Sequence, residues 1–389
     1  MSFIKPARRL IAAAALVALV SAGCSSGDDA TKATTTSSTS TTTAVKKKPA
    51  ALHAFVINLE NESFDSSWGP TTEIPYLATT LKKLGLFLPN YYGVAHVSLG
   101  NYIAQVSGQG PDKAIQSDCL TYSDFVQSST ADYQQAVGDG CVFPASVKTI
   151  ADQLADAGKT WKAYQEDLSA GPEKATTCRH PEIGKGDPTL LARPKDMYAT
   201  RHDPFVYFHS IIDGPACDNV VDFSTFADDL KTEATTPNLS YITPNLCNDG
   251  HDDPCKDGKK GGMARANTWL STWVPKILAS PAFAKSGMLI ITFDEAESSG
   301  PKADASACCG ITSTPNAPQP GLSGPGGGKV GALVLTPGGR EAIDETPYNH
   351  YSLLCTLEES FDLPKLGYAG HPDTKCFTPK GGGGSALMP

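Results

Sequence analysis

Residues 51–379 have no Gly-x-Ser-x-Gly elbow, the strained turn that presents a catalytic serine in α/β-hydrolases, and the one match in the chain, Gly23-Cys24-Ser25-Ser26-Gly27, lies at the N-terminal cysteine away from any strand–helix pattern, which counts against a triad of that kind. It has no Cys-x-x-Cys pair, and adjacent Cys308-Cys309 offers poor ligand geometry, so the cysteines do not read as a zinc site. Positive charge is scarce: 32 Lys and Arg stand against 41 Asp and Glu, a net charge of −9. Such a surface repels nucleic acid and excludes it as a partner. For an anionic substrate, positive charge must be concentrated at the site, and a bound metal ion is the economical source. No internal repeat and no apolar lipid-docking segment is evident, and histidines number only eight.

What is present begins with an export signal over residues 1–24. Lys5, Arg8 and Arg9 precede an apolar stretch from Leu10 to Val20, too short for a comfortable membrane span, and small residues lead to Cys24. Ser21-Ala22-Gly23-Cys24 resembles a bacterial lipobox, whose cysteine is lipidated and becomes the new N-terminus. That reading gives a cell-membrane lipoprotein facing outward and anchored through Cys24; an ordinary cleaved signal, giving a secreted protein, is the alternative. Residues 25–50, rich in Ser and Thr, cannot repay the entropy of ordering and form a disordered tether with a reach of roughly 25–30 Å. Losing residues 1–24 removes three positive charges and no negative ones, taking the net charge from −9 to −12. Eleven cysteines less Cys24 leave ten, an even number in an oxidising compartment, so up to five disulfides are expected. Sequence does not fix their pairing. Cys247 and Cys255 flank a short polar loop, and Cys355 with Cys376 would staple the C-terminal helix to the tail.

Residues 51–379 contain no second Ser/Thr linker and suit one large domain; 380–389 form a flexible Gly-rich tail. Periodicity predicts strands at 54–59, 86–89, 159–164, 239–243, 288–293 and 330–335, with helices near 74–85, 99–107, 146–157, 222–232, 264–279 and 350–361. This alternation argues for an α/β fold, a mostly parallel central sheet flanked by helices on both faces. The polar stretches 108–142, 169–220 and 296–328 read as long loop insertions over the sheet's rim, and loops of that length are more often functional than idle.

Chemistry gathers where apolar runs stop. Ala54 to Leu59 ends in Glu60-Asn61-Glu62-Ser63, and Met288 to Phe293 ends in Asp294-Glu295, with Glu297 adding to the negative density. Two distant strands can thus deliver oxygen ligands to one sheet edge, where open α/β sheets bind their ligands and where hard cations find suitable donors. Competing readings remain open: Asn61 or Ser63 as a helix N-cap, and Asp294-Glu295 as a solvated turn. Ser98 stands where a loop enters a helix, beside amides and a dipole that suit a phosphate, although a serine there is commonly a plain N-cap. Asn101, one turn on, faces the same side, so its amide is expected to reach an oxygen of whatever Ser98 attacks. His202, His251 and His350 stand in loops or at element ends; His251 and His350 are the best placed to bind a phosphoryl oxygen or protonate a leaving group.

The blocks Glu60 to Asp65, His96 to Tyr102, Tyr241 to Asn245 with Asn248 to Asp252, Thr292 to Glu295, and Tyr348 to Leu354 resemble, in order, those of the bacterial phosphoesterase family. That family holds acid phosphatases and phospholipases C and has an alkaline-phosphatase-like α/β fold; the likeness spans about Ala51 to Leu363. It implies Glu60, Asn61, Asp294 and Glu295 as metal ligands and Ser98 as a transiently phosphorylated nucleophile. His96, Asn101, His202, His251 and His350 would then surround the phosphate. Two departures stand out. Glu62 occupies a place where relatives often carry a basic residue, lowering positive potential, and Gly100 replaces a frequent proline, loosening the helix start.

The expected function is an exported, metal-dependent phosphomonoesterase, with a phosphate ester as its partner and a phosphoserine intermediate. All-oxygen ligation points to Mg²⁺, Ca²⁺ or Mn²⁺ without choosing among them. A phospholipase C acting on lipid head groups is the near alternative, and a non-catalytic ligand-binding lipoprotein the distant one. Oligomeric state is not legible.

Overall fold

A computed structural model describes residues 52–378. The export signal, the lipobox at Cys24, the tether and the Gly-rich tail lie outside the described residues.

The central sheet takes strands from the whole described length: β1 (His53–Leu59), β2 (Gly85–Leu88), β3 (Trp161–Gln165), β4 (Val220–Asp222), β5 (Leu239–Thr243), β6 (Gly287–Phe293), β7 (Ala332–Leu335) and β8 (Ala342–Ile343). Their spatial order is β8-β2-β7-β6-β1-β5-β3-β4. All neighbours run parallel except β7, which is antiparallel to both β6 and β2. The central pair β1 and β6 are buried along their whole lengths, as the continuous apolar runs require of strands covered on both faces.

Helices cover those faces. Val56 and Tyr241 are register partners and share a face; there Tyr241 donates its hydroxyl to Gln105 on α1 (Ser98–Ser107) at 2.9 Å. Phe55 points the other way and meets Phe283 of the short helix Pro281–Ser286, their ring centroids 6.4 Å apart. The α1 face also carries α2 (Ile150–Asp156), which begins in a Thr149/Asp152 capping box, and α3 (His350–Phe361), which begins in an Asn349/Ser352 capping box. Both boxes satisfy the first-turn amides that a helix leaves orphaned.

Three predicted helices differ from expectation. The 74–85 segment is a π-helical run, Tyr76–Leu81, closed by a 3₁₀ turn at Lys82–Leu84. The 146–157 helix shrinks to Ile150–Asp156 because Thr149 caps it. The 222–232 helix is broken: Val220–Asp222 is an edge strand, Asp222 caps a 3₁₀ turn through the Ser224 amide, and only Phe226–Asp229 is α-helical. Its β-branched Val220-Val221 pair suits a strand better than a helix.

All ten cysteines between 119 and 376 are paired: Cys119–Cys141, Cys178–Cys217, Cys247–Cys255, Cys308–Cys309 and Cys355–Cys376. The Cys355–Cys376 bridge ties α3 to the segment after it, as expected. Denatured without reductant, residues 51–379 should titrate no free thiol. Replacing both Cys355 and Cys376 by alanine should cost about 3 kcal/mol, the chain-entropy value for a loop of that length, measured by urea unfolding.

Candidate active site

Strand register answers first whether the two acidic ends meet. Leu59 and Phe293 are direct partners, so the residues after them leave the same edge side by side, and the Asp294 amide donates to the Leu59 carbonyl at 3.0 Å. The loop after β5 closes the other flank, its Asp249 carbonyl accepting from the Glu60 amide at 3.0 Å. Gly250 permits this approach: its φ is +112° and a Cβ there would lie 2.7 Å from the Glu60 carbonyl oxygen.

The competing readings fail on geometry. Glu60, Asp294 and Glu295 are buried, so they form no solvated turn. Ser63 precedes the short helix Phe64–Trp68 without capping it and donates to the Lys302 carbonyl instead; Asn61 lies half-buried where the chain leaves the sheet. Ser98 is the first residue of α1, after a Val97 N-cap that makes no side-chain bond. Its hydroxyl reaches Glu60 Oε2 at 3.1 Å and Glu295 Oε1 at 3.4 Å. Asp118, from the first insertion, takes over the capping by accepting from the Leu99 amide at 3.0 Å.

Three residues expected to meet substrate hold the scaffold instead. Asn101 Oδ1 accepts from the Val94 and Ala95 amides at 2.8 and 3.0 Å, and its NH₂ donates to the Ala95 and Val97 carbonyls at 2.9 and 3.4 Å, leaving no amide hydrogen for a substrate. The chain entering α1 folds back over it. Gly100 lets that loop close, since a Cβ there would come within 2.8 Å of the Ala95 Cβ; the missing proline therefore tightens the entry rather than loosening it. His96 binds Glu295 through Nδ1 and lies 3.0 Å from the Asp304 carbonyl through Nε2. His350 is buried on α3, its Nδ1 near the Tyr91 hydroxyl (3.1 Å) and the Gln105 amide (3.2 Å), its Nε2 on the Asp294 carbonyl. Burial lowers its pKa to about 4. A neutral imidazole with both nitrogens engaged orients Asp294 and has no proton to give a leaving group.

His202 stacks on Tyr102 at 5.2 Å and lies 3.3 Å from Glu60 Oε1 and 3.6 Å from Asp249 Oδ2. Burial, with Arg201 and His251 nearby, pushes its pKa well below the ordinary value, so it is neutral. His251 is the more open ring: Nδ1 lies 2.8 Å from Asp252 Oδ1 and Nε2 3.5 Å from Arg201 Nη2. Sequence reasoning missed Arg201, Asp118, Asp249 and Tyr102. Tyr102 donates to Glu60 Oε1 at 2.6 Å. Three of the four stood beside residues already singled out; Asp118 had no signal at all.

The carboxylates are held against their preference. Burial raises the pKa of Glu60 to about 7 and those of Asp249 and Asp294 well above the usual range, and Glu60 and Asp294 lie near enough to Glu295 to be raised further. Asp249 Oδ2 is a buried oxygen with no hydrogen-bond partner among the described residues. Hard oxygen donors, buried and mutually repelling, fit a divalent cation. Their donor atoms are not drawn as close as the two clusters that converge within 4.8 Å, Cys178/His180/Cys217 and Cys355/Glu359/Cys376. Those two cannot offer thiolates, because their sulfurs are in disulfides.

The sequence pattern of the Phosphoesterase family matches residues 70–364. Among curated proteins, the phosphate-repressible acid phosphatase of Penicillium chrysogenum is 29% identical over 80% of this chain and 62% of its own length. A probable acid phosphatase of Kluyveromyces lactis is 26% identical over 80% of this chain and 59% of its own. The chain thus spans about three fifths of the length of these relatives. A solved protein of the alkaline phosphatase superfamily from Vibrio parahaemolyticus superposes with a TM-score of 0.47 at 12% identity, covering 80% of this chain and 67% of the other.

The raised carboxylate pKa values set a pH dependence. Between pH 4.5, the ordinary Glu value, and about 7, the folded chain keeps a proton on Glu60 that the unfolded chain has released. Stability in chelator should therefore fall as pH rises through this window, by on the order of a few kcal/mol, and Glu60→Gln should flatten the slope. Denaturant midpoints at pH 5, 6, 7 and 8 measure both. Asn101→Ala should lower the unfolding free energy by about 1–3 kcal/mol, since four loop groups, three of them buried, lose their partner.

Proposed function

This chain belongs to the Phosphoesterase family, and from that footing we propose that it is an exported, metal-dependent phosphomonoesterase of the acid-phosphatase kind. The observation that carries the reading is the Ser98 hydroxyl, held on a helix N-terminus between carboxylates from two separate strands.

Ser98 Oγ attacks phosphorus, forming an O–P bond while the P–O bond to the leaving alcohol breaks. The hydroxyl proton passes to one of the two carboxylates it already faces, Glu295 or ionised Glu60, and returns to Ser98 Oγ when water cleaves the phosphoserine. A free serine is a weak nucleophile, and these acceptors remove the main obstacle. His251, the most exposed of the site's histidines, gives a proton to the departing oxygen once its Nε2 is freed from the Arg201 guanidinium that faces it and has taken up a proton, and recovers one from the water that later cleaves the phosphoserine. Asp252 orients that ring from Nδ1. Glu60, Asn61, Asp294 and Glu295 would hold a divalent cation, which supplies charge against the phosphoryl oxygens when bound. His350 and His96 are positioning residues, fixing Asp294 through its carbonyl and Glu295 through its carboxylate. Export, with lipid attachment at Cys24, accords with the signal-like N-terminus and with a full set of paired cysteines.

Ser98→Ala should abolish turnover of p-nitrophenyl phosphate, by at least 10³-fold, while leaving the thermal midpoint within a few degrees; retained turnover would remove Ser98 from the nucleophile's place. Chelation should stop turnover, and Mg²⁺, Ca²⁺ or Mn²⁺ should restore it and raise the thermal midpoint, more at pH 7 than at pH 5. Phosphatidylcholine assayed in parallel separates monoester from diester hydrolysis.

A further inference from the structure

We propose that Arg201 is a substrate-binding residue that grips the phosphoryl group, and that Asp118 is the residue that positions it. This deepens the phosphomonoesterase reading and rests on it for the identity of the substrate.

Two buried arginines come from the same insertion, 169–220, and are bonded very differently. Arg179 makes a close bidentate pair with Asp196, 2.7 and 2.9 Å, and also contacts Glu173. This is the geometry of a guanidinium whose work is structural. Arg201 is 5% exposed, yet its neighbours stand off: Nε to Asp118 Oδ2 at 3.6 Å, Nη1 to the Leu190 carbonyl at 3.4 Å, Nη2 to His251 Nε2 at 3.5 Å. A guanidinium has five N–H donors, and burying it with long, partial bonds is costly unless something else completes them.

Its place says what that something is. From Ser98 the contacts run to Glu60, to His202, across to His251 at 6.1 Å between rings, to Arg201, to Asp118, and from Asp118 to the Leu99 amide beside Ser98. This circuit surrounds the nucleophile, and Arg201 is its one permanently charged cation. The Arg201 charge reaches Glu60 and Asp249 across it, easing both toward ionisation. A tetrahedral oxyanion is the ligand class that matches planar paired donors opposite a serine. Asp118 is well placed to direct Arg201, since one oxygen holds the Leu99 amide and the other faces its Nε. One carboxylate thereby sets the helix start and the guanidinium together.

The test uses the exported chain with inorganic phosphate as probe, comparing wild type with Arg201→Met, Arg201→Lys and Asp118→Asn by calorimetry, alongside KM and kcat on p-nitrophenyl phosphate. Phosphate affinity should fall at least tenfold in R201M, less in R201K, and severalfold in D118N, with KM rising more than kcat falls in D118N. Unchanged phosphate affinity in folded R201M overturns the proposal even if the wild type hydrolyses the ester. Arg201-dependent phosphate binding without any turnover supports the proposal and refutes the phosphomonoesterase reading instead. Should R201M fail to fold, R201K and D118N decide: phosphate affinity equal to wild type in both overturns it.

Discussion

The structure depends on a cost it accepts at the end of the sheet: Glu60, Asp249, Asp294 and Glu295 are all buried, and burial and neighbouring charge push the carboxyls of Glu60, Asp249 and Asp294 toward protonation. A fold selected for stability alone would replace them with apolar groups. Much of the surrounding architecture makes sense as a frame for them. Tyr102 and His202 bracket Glu60, His96 holds Glu295, and His350 holds the backbone of Asp294. These second contacts come from different parts of the chain, so the acids are fixed from several sides before any ligand arrives.

The insertions complete that frame. The stretch 108–142 delivers Asp118, 169–220 delivers Arg201 and His202, and 296–328 delivers the Asp304 carbonyl to His96. The last also clamps the loop before Ser98, through the Gly93 and Gly328 backbones at 2.8 Å and the His96 amide on Pro320 at 3.1 Å. The sheet supplies acids at one edge, and the loops over that edge supply the groups that aim them. Disulfides within two of these insertions, Cys119–Cys141 and Cys178–Cys217, limit how far those loops can wander; the bond between adjacent Cys308 and Cys309 stiffens the third only locally.

Legibility followed the physics of each signal. Continuous apolar runs ending in acids made β1 and β6 readable, and the α3 helix was readable to its ends because its capping residues are written beside it. The irregular 76–84 turns and the Val220–Asp222 edge strand were not, because short segments carry too little periodicity. At the site, Ser98 and the acids stood out as polar residues where apolar runs stop. Asn101 misled for a local reason: helical spacing placed it beside Ser98, but spacing says nothing of the loop that folds back and uses its amide. His350 misled likewise, since a histidine at a helix start reads the same whether it faces solvent or a backbone carbonyl. Asp118 and Arg201 meet only through tertiary packing, so no local pattern announced them.

The proposed function requires that side chains far apart in sequence converge on one reaction centre around Ser98. A crystal structure of residues 51–379 soaked with orthovanadate and a divalent cation is the decisive measurement, with anomalous scattering locating the metal. The expected result is vanadium bonded to Ser98 Oγ, oxygens facing Arg201, and the cation against Glu60 and Asp294. Vanadate bound away from Ser98, or a cation that leaves Glu60 and Asp294 untouched, would contradict it.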